Sequence, residues 1–426
     1  MTLNDAFLEF DLKIKMANLD DIRKHTRVIT KKLNQYYYDL DDENKHKLIV
    51  GSVGRKTCIN SKSDIDFAFI LPDLEFKKYD NRIGNGQSNL LADVRKVLID
   101  RFPFTTINAD GQVIDIRFND CLVELLPAFE QSDGSFKHVD TNNGGSWKTT
   151  KPRLEINLCN TFSDKCNQFR TMCRIMRAWK HENGVKINGL LLDTFVYNSL
   201  NKSMFLCKSD SNFNFYDAFY SILKYISNED KSKAYWLAMG SNQYIYNKDK
   251  YNFIAKASKA IDELDNCDDY SSKWSMTKTL LGSKFPKNEY EKKCNFNEEF
   301  ITDRFPLDLE YNLKIDAIVS QDGFRPFSLL EKLKGGILSR KLKYNKKLHF
   351  SIVSTNVPGE YEVYWKVRNL GDIAIKRNCI RGNLYKSKER GESTSFNGPH
   401  YVECFIVKNG ICVARDRISV PIYELS

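Results

Sequence analysis

The sequence predicts an α+β chain whose last part is a separate all-β domain. Three observations carry this prediction. A small-residue turn, Gly51-Ser52-Val53-Gly54, is followed by Ser63-Asp64-Ile65-Asp66, which opens an apolar run to Leu71 and starts a sheet. Residues 151 to about 325 show mostly helical periodicity. From about 345, short β-rich runs alternate with Pro-Gly, Leu-Gly and Asn-Gly turns. The divisions this implies are 1–150, 151–330 and 345–426.

The bulk properties bound the class. A chain of 426 residues has room for two or three domains, and 42% apolar residues make it globular. The net charge of +10, from 65 basic and 55 acidic side chains, suits polyanionic partners such as nucleotides or nucleic acid. The excess is spread along the chain, so it marks no particular surface. The 11 cysteines form no Cys-x-x-Cys pair and no zinc-finger spacing, and they read as small buried residues of a reducing cytosol. Asp5, Glu9 and Asp11 interrupt any secretory leader. No apolar stretch approaches the roughly 20 residues that span a bilayer. A cytoplasmic protein without membrane contact is expected.

In chain order, Leu3, Phe7, Phe10 and Ile14 keep helical spacing, and residues 22–38 continue it with basic residues interleaved. Lys45 to Val50 ends as a strand, and Arg55 to Asn60 is expected to open a short helix. Phe67 to Leu71 is too short for a buried helix and rich in β-formers, so it reads as a buried strand. Ser88 to Phe102 is a helix with Leu90, Leu91, Val94, Val97 and Leu98 on one side. Gln112–Phe118 and Cys121–Pro127 form a hairpin around Asn119-Asp120. Asp133 to Pro152, rich in Gly, Asn and Thr, reads as a long loop. Asp164 to Asn183 is a helix with the apolar arc Phe169, Met172, Cys173, Met176 and Trp179 and a basic face of Arg170, Arg174, Arg177 and His181. Lys180 falls inside the apolar arc, which is unusual unless the amine faces a cleft or snorkels at the helix end. Helices follow at 216–226 and 251–264. Lys341 to Lys347 reads as a basic join to the β-domain.

The chemistry concentrates at the first turn and strand. Alternating strand side chains put Asp64 and Asp66 on one face. Two carboxylates there repel, and a cation between them relieves this; oxygen-only ligands suit magnesium. Gly51 and Gly54 let backbone N–H groups approach a ligand, and Ser52 adds a hydroxyl. A phosphate cradle beside paired carboxylates is what a metal-bound nucleoside triphosphate requires. On the hairpin, both Asp115 and Glu124 are candidates for a third acid.

Gly51-Ser52, then Asp64-Ile65-Asp66, then Glu124 three residues before Pro127, resemble the nucleotidyltransferase superfamily of the DNA polymerase β type. The resemblance favours Glu124 as the third acid. Cys173-Arg174-Ile175-Met176-Arg177-Ala178-Trp179-Lys180 and Lys186–Phe195 resemble the cGAS/DncV-like nucleotidyltransferases (CD-NTases) of bacterial antiphage signalling. Trp365–Gly371, Arg381-Gly382 and His400–Cys404 are similar to the C-terminal AGS-C sensor domain fused to such enzymes. The resemblance implies a polymerase β-like sheet, a helical domain completing the cleft, and a C-terminal sensor. It implies catalysis by Asp64, Asp66 and Glu124 holding two Mg²⁺ (Mn²⁺ serving in their place), with Gly51, Ser52 and Lys180 on the nucleotide. Trp147-Lys148-Thr149-Thr150-Lys151-Pro152 is similar to a segment bordering the nucleotide in relatives. The implied reaction joins nucleoside triphosphates into a short cyclic oligonucleotide and releases pyrophosphate. A regulatory ligand or protein would act at the C-terminal domain, where Arg381, His400 and Glu403 are candidate contacts. Two other classes stand beside this one. The first is a nucleotidyltransferase acting on an RNA or protein acceptor, to which the basic face of 164–183 points. The second is a nucleotide sensor without catalysis.

Overall fold

The computed structural model describes residues 1–16, 19–60, 64–203, 207, 213–247, 252–293, 298–334, 342, 346–394, 396 and 398–422. Most of the basic join at 341–347 lies outside the described residues, as does Ser63.

The N-terminal part runs α1 (Leu3–Ile14), α2 (Leu19–Tyr38), β1 (Lys47–Ile49), α3 (Gly51–Arg55), β2 (Ile65–Ile70), α4 (Asp73–Asp80) and α5 (Gly86–Arg101). β3 (Thr106–Asp110), β4 (Val113–Arg117), β5 (Leu122–Glu130), β6 (Phe136–Asp140) and β7 (Ser146–Thr150) complete it. The sheet order is β1-β2-β5-β4-β3, with β6 and then β7 added beyond the far end of β5. Only β2 and β5 pair in parallel; the other pairs are antiparallel. Ile65, Phe67 and Phe69 of β2, with Val123 and Leu125 of β5, bury one face under α2 and α5. That face fixes the register, because a one-residue slip would turn every one of these side chains away.

The segment 133–152 is a hairpin and not a long loop. Phe136, His138 and Val139 are buried, and the Asn/Gly cluster forms only the turn, where Asn143, Gly144 and Gly145 take positive φ. Short helix α3 begins at Gly51 itself rather than after Arg55.

The helical part comprises α6 (Pro152–Lys165), α7 (Phe169–Glu182), α8 (Gly189–Lys202), α9 (Phe215–Ser227), the hairpin of β8 (Tyr235–Leu237) and β9 (Tyr244–Tyr246), α10 (Asn252–Asp265), α11 (Tyr270–Leu281) and α12 (Glu289–Lys293). Its core is built on α7, which buries Met172, Cys173, Ile175, Met176 and Trp179. α1 packs into this core through Phe7 and Phe10, whereas α2 covers the sheet through Ile29 and Leu33. Cys166 is joined to Cys207, so these two cysteines are not the separate thiols expected of a reducing compartment.

The C-terminal part contains β10 (Leu313–Ser320), β11 (Phe327–Ser328), α13 (Leu329–Leu333), β12 (Lys347–Thr355), β13 (Glu362–Asn369), α14 (Gly371–Lys376), β14 (Arg381–Lys386), β15 (Arg390–Ser393), β16 (Pro399–Lys408) and β17 (Ile411–Pro421). Two four-stranded sheets, β11-β10-β12-β15 and β14-β13-β16-β17, close on one core. Ala317, Val319 and Phe350 come from the first sheet; Trp365, Cys404 and Val420 come from the second. β10 pairs along β12, so the sandwich takes in residues well before 345.

This sandwich is not loosely tethered. Leu370 and Tyr401 enter the helical core. Buried ion pairs also cross the junction: Arg415 with Glu182, Arg417 with Glu263, and Arg368 with Glu291.

Candidate active site

Register alone assembles the carboxylates. Asp66 on β2 lies opposite Glu124 on β5, and Glu124 lies opposite Asp115 on β4. Residues paired in register point to the same side of a sheet, so Asp66, Glu124 and Asp115 form one row with Glu124 in the middle. Asp64 immediately precedes β2 and shares the face of Asp66.

The electrostatics show what the row costs. Burial pushes the Glu124 carboxyl up to about 7, helped by its hydrogen bond to Asp66 and by the charges of Asp66, Asp64 and Asp115. Burial also raises Asp66, against the field of Arg55, and raises Asp64, helped by Asp115. A set of carboxylate oxygens that resist losing their protons is the donor set a hard divalent cation fits. A second group, His25, Asp120 and Cys121, has its ligand atoms within 4.8 Å of one another. That second group reads as an exposed ion pair with His25 stacked on Phe118. Burial holds the Cys121 thiol up at about 11, so it is not a ready thiolate.

The glycine turn meets the row. Gly51 has φ +61°, and a Cβ added there would stand 1.8 Å from Asp66 Oδ2. At Gly54 an added Cβ would come within 2.4 Å of the Ile49 carbonyl oxygen. Ser52 is the second residue of α3 and is half-buried. Both glycines are therefore required by close approach, the first of them to a site residue.

A polar element that sequence reasoning missed holds the turn in place. Asp193 of α8 is fully buried. It accepts from Arg177 Nη2 at 2.7 Å, Thr57 Oγ1 at 2.8 Å and Arg55 Nε at 3.1 Å. Burial works to raise its carboxyl, but Arg177 and Arg55 outweigh this and lower it. Asp193 thus ties α3 to α7 and α8. Arg174 similarly clasps Asp11 of α1 at 2.6 and 2.7 Å, and Arg170 donates to the Arg55 carbonyl at 3.1 Å. The expected basic face of α7 therefore holds helices together through Arg170, Arg174 and Arg177 and offers no open acceptor surface there. Arginines at helical spacing signalled a surface; only the facing Asp11 and Asp193, far apart in sequence, show that it is internal.

Lys180 is half-buried and lines a cavity of about 560 Å³ with Lys186, Asn188 and Tyr246. Burial, then the charge of Arg177, lowers its pKa. Asp64, Asp66 and Glu124 are not among the residues that line this cavity, so the cavity does not bring Lys180 together with the row. Trp147 is a packing element against Phe76 and Phe129, with its Nε1 donating to Asp80 at 2.8 Å. Of the candidate sensor contacts, Glu403 is consumed by Arg415 and Arg417, His400 is buried, and Arg381 is paired with Glu392.

Comparison with known proteins agrees with this architecture. Residues 1–162 match the family described as the second messenger oligonucleotide or dinucleotide synthetase (SMODS) domain. Residues 295–423 match the adenylyl/guanylyl and SMODS C-terminal sensor domain. A nucleotidyltransferase core is thus joined to a sensor module. The chain carries a SMODS synthetase domain at its N-terminal end and an AGS-C sensor domain toward its C-terminal end. Among solved structures it is similar to Escherichia coli MS115-1 CdnC in complex with a HORMA protein, at 16% identity and TM-score 0.48, over 66% of this chain and 98% of that one. It is also similar to Elizabethkingia meningoseptica CdnE cyclic dinucleotide synthase with GTP and Apcpp, at 13% identity and TM-score 0.46, over 61% and 97% of the two chains. Escherichia coli DncV bound to 3′-deoxy GTP is similar at 13% identity and TM-score 0.47, over 64% and 93%. No curated protein sequence matches the chain significantly.

Proposed function

We propose that this enzyme joins nucleoside triphosphates into a short cyclic oligonucleotide, releasing pyrophosphate, as the second messenger of a bacterial antiphage (CBASS-type) system in the cytoplasm. The observation that carries the reading is the row Asp66–Glu124–Asp115 beside the Gly51 turn, in the segment that matches the synthetase family. Asp64, Asp66 and Glu124 would hold two Mg²⁺, or Mn²⁺, which lower the pKa of an attacking 3′-hydroxyl and neutralise the triphosphate. The carboxylates orient that hydroxyl, and one of them accepts its proton. Gly51 and Ser52 take the phosphates on backbone N–H groups and a hydroxyl. Lys180 adds a positive charge from α7, so that the α-phosphorus is held for in-line attack.

Transfer to an RNA or protein acceptor is less well supported, because Arg170, Arg174 and Arg177 are spent on internal contacts. The experiment is incubation of the purified chain with every combination of ATP, GTP, CTP and UTP, with products read by mass spectrometry. A ring-closed oligonucleotide with matching pyrophosphate supports the reading. Nucleotide attached only to an added RNA or protein sinks it.

A further inference from the structure

Two cavities adjoin where α7, α10 and β17 converge. They share Gly184, Lys186 and Leu309. One is the Lys180 cavity. The other, of about 470 Å³, lies between the helical part and the sensor sandwich, and its walls include Lys186, Lys256, Lys259 and Arg415.

The cations at this junction differ in one respect. Lys259 is bonded to Asp416 at 2.6 Å. Arg415 is paired with Glu182 and Glu403, and Arg417 behind it with Glu263. Lys256, which also reaches the small pocket beneath, has no hydrogen bond or ion pair among the described residues. Burial, then repulsion from Lys259, pulls its pKa down to about 8. The charge of Asp416 offsets this only in part, because Asp416 is already engaged by Lys259 and by the Ile315 and Arg417 N–H groups, and Glu310 is exposed at the rim. An inward amine surrounded by satisfied cations is costly unless something anionic completes it.

We propose that this junction cavity is a second ligand site, separate from the carboxylate row, that takes a nucleoside polyphosphate with its phosphates on Lys256 and Lys186. The volume is in the range of small-molecule sites. Ammonium groups are good point-charge partners for phosphate, and Tyr311 and Asn312 offer a ring and an amide on the wall. A ligand there touches α10, the start of the sensor sandwich and Arg415 at once, so its occupancy reports to the catalytic helices through the sensor domain. Inorganic polyphosphate shares the phosphate chemistry, and the test separates the two.

The test is isothermal titration calorimetry on the full chain in EDTA, with ATP and with inorganic triphosphate as probes. Wild type, Lys256→Met and Lys256→Arg are compared. Lys256→Met is expected to weaken binding about tenfold or more, while Lys256→Arg retains it. ATP binding much tighter than triphosphate identifies a nucleotide; equal binding identifies the phosphate chain alone and overturns the nucleotide assignment. Unchanged binding in a folded Lys256→Met, or no wild-type binding of either probe below roughly 1 mM, overturns the site.

Discussion

Gly51 lies against the carboxylate of Asp66 so closely that a single added methyl would stand 1.8 Å from Oδ2. The turn and the acid row are therefore one unit, built by a glycine that supplies both a positive φ and the missing volume.

The first prediction follows from that contact. Gly51→Ala should cut turnover by about 10²-fold or more, because Asp66 must move and misplaced catalytic groups are costly. Gly134 is the control: its φ is +75° and nothing lies within 4 Å of an added Cβ. Gly134→Ala should cost about 1 kcal/mol of stability and leave turnover near normal. Comparable activity in the two variants, measured by pyrophosphate release, would remove Gly51 from the site.

A second prediction concerns pH. The Glu124 carboxyl is raised in the folded chain to about 7. The folded state then binds its proton more tightly than the unfolded state does. This contribution is fully present below about pH 4.3, the ordinary glutamate value, and is lost as pH rises through 7. After screening at a half-exposed side chain, it is on the order of 1 kcal/mol. Metal-free protein should lose stability between pH 5 and pH 8, and Glu124→Gln should flatten that slope. Parallel denaturation curves for the two proteins would show that Glu124 does not titrate there.

Lys180→Ala should raise the apparent KM for triphosphate severalfold with little loss of stability. The amine is half-buried beside a cavity, and Asp193 is already satisfied by Arg177 one turn earlier. Unchanged kinetics would mean that Lys180 only snorkels at the end of α7.

Arg415 should be a structural joint between sensor and catalytic parts. It donates to both the carbonyl and the carboxylate of Glu182 at 2.9 Å and also pairs with Glu403. Arg415→Ala removes the partner of Glu182, while Glu403 keeps Arg417 and Lys366, and breaking a buried pair typically costs about 3–5 kcal/mol. A loss below about 1 kcal/mol in chemical denaturation would show that the sandwich is only loosely attached. A chain cut near Leu342 is a poor alternative test, since it separates β10 from its partner β12.

The sequence made local, periodic features readable. Asp64 and Asp66 share a face because of strand alternation, and Glu124 sits on a hairpin strand that turn chemistry announces. The helices over α5, α7, α9 and α10 followed from apolar spacing. What could not be read depends on partners distant along the chain. Arg177 is 16 positions from Asp193, yet Arg55 is 138 positions away, and no spacing rule reports such a contact. The hairpin of β6 and β7 was hidden because its Asn/Gly turn looked like the whole segment. The reach of the sandwich back to Leu313 was hidden because β10 and β12 are separated by a helix and a join.

The most direct test of the central claim is pyrophosphate release by wild type and Asp66→Asn, with nucleoside triphosphates and Mg²⁺, in proteins shown to have the same thermal midpoint. The account predicts a loss of about 10²-fold or more in Asp66→Asn, as expected when a charged metal ligand is removed from the transition state. Turnover of a folded Asp66→Asn within about threefold of wild type, a difference below 1 kcal/mol in the barrier, would contradict it.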